Sequence, residues 1–135
     1  MVTRTEGWEL RFSNYLKSAR DMAFEWGNHD CIMFPAKALE VITGENFYEE
    51  YKGYTTKEGA DEVLETNGGM VGIVTQHLGQ SHRNFMQAKR GDLVLMKLPD
   101  LTLGIVDDSG QRIAAVTLKG LVRLPIDKAW RIWSY

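Results

Sequence analysis

One thiol and three imidazoles are the obvious reactive groups in this sequence: Cys31, His29, His77 and His82. A cysteine nucleophile needs thiolate character and an imidazole base, itself held by a third polar group. Cys31 closes the stretch Phe24-Glu25-Trp26-Gly27-Asn28-His29-Asp30-Cys31. An apolar helix-period segment follows, so the thiol is expected at a helix start, where free N–H groups and the macrodipole favour thiolate. Without a charged imidazole beside it that effect is small, and the thiol should titrate only somewhat below its ordinary range. His29 lies two residues away, a spacing that does not face on a regular helix but permits approach at an irregular helix entry. His77 and His82 flank Gly79-Gln80-Ser81, a connection free to run over the surface. The competing reading of Cys31 is a small core hydrophobe, because free cysteines are among the most buried residues.

Other chemistries lack the necessary spacing. The acids Glu25, Asp30, Glu49, Glu50 and Asp61 fix no second carboxylate near a first, as glycosidic work requires. Asp107 and Asp108 belong with Gly110 in a turn rather than on a metal. Gly68-Gly69-Met70-Val71-Gly72 lacks the Gly-Lys-Ser/Thr of a phosphate loop. One Cys and three scattered His do not supply a zinc site, and no cofactor or metal is expected.

The elements that must position these groups read as one domain over residues 1–135, with 44% hydrophobic and 25% charged residues, the balance of a globular chain. Sixteen Lys and Arg against 18 Asp and Glu give a net charge of -2, and Arg83, Lys89 and Arg90 form only a mild basic cluster, so nucleic acid is not an expected partner. No secretory signal or apolar run of membrane length is present, which points to synthesis in a cytoplasm and no membrane span.

Helix-period spacing predicts a first helix from Thr5 to just before Trp26-Gly27, carried by Trp8, Leu10, Phe12, Tyr15, Leu16, Ala19, Met22 and Ala23. A second helix over Ile32–Thr43 should be capped by Asp30 or Asn28, have a first turn disturbed by Pro35, and stop at Gly44. A third opens on the capping box Thr55-Thr56-Lys57-Glu58 and closes at Asn67-Gly68-Gly69, and a short fourth is possible over Val71–Leu78. Gly27 should adopt a conformation closed to other residues, with Trp26 anchored beneath it. From Gly91 onward the runs Gly91–Leu98, Leu101–Val106, Gln111–Thr117, Leu121–Leu124 and Ala129–Tyr135 predict an antiparallel meander or half-barrel. The fold class is α+β, with N-terminal helices packed on a C-terminal antiparallel sheet.

Trp8, the segment Phe24 to Cys31, Leu39-Glu40-Val41-Ile42-Thr43-Gly44, and Gly91-Asp92-Leu93-Val94-Leu95 with Leu103-Gly104-Ile105-Val106 together resemble the NlpC/P60-like proteins of tailed phages and prophages, from Trp8 to Trp133. The resemblance implies a papain-like core with Cys31 as nucleophile after Asp30, and a place at the phage tail tip after synthesis in the host cytoplasm. In that family a His precedes the strand that is here Leu103-Gly104-Ile105-Val106, and this chain has Thr102 there. The third polar residue would fall on the next strand, which here carries Ile113-Ala114-Ala115. Losing the base of such a triad costs several orders of magnitude in rate. Two expectations follow: a structural tail-tip protein with an idle cysteine site, partnered by other tail-tip proteins, or a cysteine endopeptidase cutting peptide cross-links of bacterial peptidoglycan, with His29 the nearest substitute base. For the structural protein, Trp130, Trp133 and Tyr135, with Tyr48, Tyr51 and Tyr54, are the expected interface anchors.

Overall fold

The computed structural model describes residues 2–135. Four helices precede a five-stranded antiparallel sheet, so the α+β class and its order along the chain hold. The helices are α1 (Trp8–Arg20), α2 (Met33–Thr43), α3 (Lys57–Thr66) and α4 (Gly69–Leu78). The strands are β1 (Leu93–Lys97), β2 (Leu101–Val106), β3 (Arg112–Thr117), β4 (Gly120–Pro125) and β5 (Arg131–Trp133). They lie in the order β4-β3-β2-β1-β5, an open meander in which the last strand returns beside the first.

α1 is shorter than its apolar spacing predicts. It ends at Arg20, with Met22 N–H bonded back to the Ala19 carbonyl. Beyond it the chain makes a tight turn in which the Glu25 and His29 backbones exchange hydrogen bonds. Met22 is 40% exposed, so the last members of the predicted stripe never face the core. α3 starts one residue later than the predicted box: Thr56, not Thr55, is the cap, its hydroxyl accepting from Gly59 N–H. α4 is a full helix from Gly69 despite weak intrinsic formers, because burial of Met70 and Val74 outweighs propensity.

α2 supplies the central packing. Phe34, Ala38 and Ile42 are fully buried. The helix lies between α1 and the strands β2 and β3. Gly44 closes it in the left-handed conformation, its N–H bonded to the Glu40 carbonyl. Gly104 in β2 has a different purpose: a Cβ there would sit 2.8 Å from both the Ala114 carbonyl oxygen and an Ile113 methyl. The side chain is absent so that β3 can approach.

The Gly-Asp element before β1 ties the two chain ends together. Asp92 is fully buried; its carboxylate accepts from Arg4 at 2.7 Å, Ser134 Oγ at 2.7 Å and Lys89 N–H at 2.9 Å. Arg4 lies between the rings of Trp8 and Tyr135, at 4.7 and 4.6 Å from their centroids. A buried carboxylate with this many donors is compensated, and removing any one would leave charge stranded.

Candidate functional site

Asp30 builds the entry to α2. Its Oδ1 accepts from the Ile32 and Met33 amides at 2.9 and 2.8 Å, capping the helix as expected. Its Oδ2 accepts from Gly27 N–H at 2.7 Å and from the Tyr54 hydroxyl at 2.6 Å. One carboxylate thereby holds the turn, the helix start and the segment leading to α3. Gly27 has φ +82° as the turn requires, and a Cβ on it would fall 2.0 Å from the Tyr54 carbonyl oxygen. Trp26 is partly buried against the core, edge-on to Phe24 at 4.8 Å.

Cys31 follows, half-buried at the helix entry, and opens into a groove of about 540 Å³. Ala60, Asp61 and Leu64 of α3 form one wall. The β1–β2 hairpin from Leu98 to Thr102, Leu118 of the β3–β4 turn, and Phe24 and Trp26 line the groove as well. Thr102 thus lines the same groove as the thiol. Leu98, Leu101 and Leu118 are 38%, 43% and 77% exposed, so the groove carries apolar surface beside the charges of Lys57, Asp61 and Asp100.

No imidazole serves this thiol. His29 is buried to 2% exposure against Phe34, its Nε2 without a hydrogen-bond partner. Burial, and then the Lys37 charge, lower its pKa, and the Asp30 charge opposes them. His77 Nε2 lies 2.7 Å from the Tyr51 hydroxyl, in a separate apolar pocket with Phe47. His82 Nε2 lies 3.1 Å from Ser134 Oγ, and its Nδ1 accepts from Asn84 N–H. On β3, Ile113, Ala114 and Ala115 are fully buried and offer no polar group.

The thiol itself is pushed up to about 12, first by burial and then by the Asp30 charge beside it. The expectation of a slightly acidic thiol is therefore reversed: desolvation and a neighbouring carboxylate outweigh the helix start. Asp30 is a positioning residue. Its four acceptor interactions are all internal, and its charge works against thiolate.

The chain matches DUF6950, a domain of unknown function, over residues 3–135. It belongs to that family. No curated protein matches the chain. The DUF6950 match spans every element described, from Arg4 at the Asp92 cluster to Tyr135.

Sequence reasoning found Asp30 as a cap and the helix-entry position of Cys31, because both follow from local spacing. It missed Tyr54, which lies 24 residues from Asp30 and carries no local signal of the contact. The groove rim had a faint one: Leu98, Leu101 and Leu118 fall in or beside tight turns, where polar residues are usual. The supposed anchors divide: Trp133 is core at 0% exposure, Tyr51 and Tyr54 are buried, and the Tyr135 hydroxyl is bonded to the Gly91 carbonyl. Tyr48 and Trp130 keep partly exposed rings.

Proposed function

We propose that this protein is a structural component of a phage tail tip, with an NlpC/P60-like, papain-like core whose cysteine site has lost catalysis. The observation that carries the reading is the groove lined by both Cys31 and Thr102 and by no imidazole. A thiol nucleophile at helix entry, facing a β2 position where the family's base would stand, is the arrangement the resemblance implies. Where that base would stand this chain has Thr102, a residue unable to accept the thiol proton at neutral pH. Burial and the Asp30 charge add to the loss by keeping Cys31 protonated. What remains is a groove with exposed leucines and the charges of Lys57, Asp61 and Asp100, suited to holding a segment of a neighbouring protein rather than to cutting it.

The endopeptidase reading is favoured by the same groove, since an open cleft over a cysteine is where a peptide would bind. One comparison separates the two. In a phage encoding this protein, Cys31→Ala should still enter particles and support infection, and the purified wild-type protein should leave peptidoglycan intact. Digestion of peptidoglycan that stops with Cys31→Ala would overturn the structural reading.

A further inference from the structure

Three cations surround one indole near the start of β5. Lys97 Nζ lies 3.9 Å from the Trp130 ring centroid, and the guanidinium carbons of Arg131 and Arg83 lie 4.9 and 5.9 Å from it. None of the three is in an ion pair: the salt bridges among the described residues are all elsewhere. At Trp8, Arg4 over the ring is answered by the buried Asp92 carboxylate, and only Arg90, 5.7 Å from that centroid, lacks an ion pair. At Trp130 no carboxylate among the described residues forms an ion pair with the cations, and the Arg131 guanidinium has only a 3.4 Å bond to Ser81 Oγ, with its Nε shielded and unpartnered. Gathering three like charges without a counter-charge costs energy that the ring quadrupole offsets only in part.

We propose that Trp130, Arg83, Lys97 and Arg131 form a docking point for an acidic segment of a partner protein. The site is compact, whereas the chain as a whole is net negative at -2, so a long polyanion would meet repulsion away from the patch. A short run of carboxylates matches it: Arg forks bind carboxylate in two-point fashion, and Trp with Arg is the composition of interface hot spots. Phe85 and Met86, two and three residues after Arg83 in the chain, are 37% and 83% exposed and put apolar surface on the segment that carries that cation. Such surface suits a protein segment with an aliphatic side chain better than a sugar-phosphate backbone. The inference extends the assembly reading by naming the chemistry of a partner.

The test titrates the ¹⁵N-labelled protein with a Glu-rich synthetic peptide carrying one Leu, and in parallel with a single-stranded oligonucleotide. The peptide should shift the Trp130 indole N–H resonance, and its affinity should fall about tenfold in R83A/K97A, a loss of about 1.4 kcal/mol. Both substituted side chains are exposed, so the fold is expected to survive, which circular dichroism verifies. A silent Trp130 resonance, an affinity unchanged by the double substitution, or an oligonucleotide bound as tightly as the peptide would each overturn the proposal. Peptide binding at Trp130 by a protein that also digests peptidoglycan would leave this site standing and remove the assembly reading.

Discussion

Asp30→Ala should be among the most damaging single substitutions in this chain. The carboxylate is fully buried and accepts four hydrogen bonds, two from helix-start amides, one from Gly27 N–H and one from the Tyr54 hydroxyl. Losing a helix cap costs about 0.5–2 kcal/mol. Leaving the Gly27 amide and the Tyr54 hydroxyl unsatisfied adds about 1–3 kcal/mol each where water cannot reach them. The sum, about 2.5–8 kcal/mol, is comparable with the whole stability of a small domain. Urea unfolding followed by circular dichroism measures it, and with a slope of about 1–3 kcal/mol per molar the midpoint should fall by about 1 M or more. Asp30→Asn keeps an acceptor for the two helix amides, and the Tyr54 hydroxyl can rotate to accept from the new amide. It should cost about 2 kcal/mol, chiefly through the Gly27 amide. Tyr54→Phe should cost about 1 kcal/mol in the wild-type background and almost nothing in Asp30→Ala, because its partner is then gone. A midpoint for Asp30→Ala within about 0.5 M of wild type, or equal losses for the Ala and Asn variants, would refute the account of Asp30 as the common acceptor.

Gly27→Ala should cost about 3 kcal/mol or more, combining strain at positive φ with displacement of a backbone carbonyl; an unchanged melting temperature would contradict the turn. Alkylation of Cys31 by iodoacetamide should quicken about tenfold per pH unit between about pH 7 and 9 without levelling, as a thiol pushed up to about 12 requires. A plateau near neutrality would reveal a hidden base, and Asp30→Asn, by removing one charge that disfavours thiolate, should accelerate the reaction. His29 has its pKa lowered by burial, so in acid the unfolded chain takes up this proton before the folded one does. Stability should therefore decline as pH falls below about 6.5, levelling once the folded-state value is passed. His29→Phe should flatten that part of the pH profile relative to wild type, and identical profiles would sink the idea.

The local chemistry of this chain was legible in its residues. Short-range rules placed a helix after Asp30, its stop at Gly44, a left-handed turn at Gly27 and an antiparallel sheet after Gly91, because caps, glycine conformations and strand texture depend on near neighbours. Helix ends were less legible: α1 stops at Arg20 although Met22 and Ala23 continue its apolar spacing, since the next segment is drawn into the Glu25–His29 turn. Tertiary structure alone decided what the reactive groups do. It took His29 into the core, gave His77 to Tyr51 and His82 to Ser134, and left Cys31 in a groove with Thr102. It also set the thiol against the Asp30 charge, reversing the direction expected from a helix start. The sequence determines which groups exist and which local conformations they favour; the pKa of a thiol and the partner of an imidazole depend on distance, burial and charges brought together across the fold.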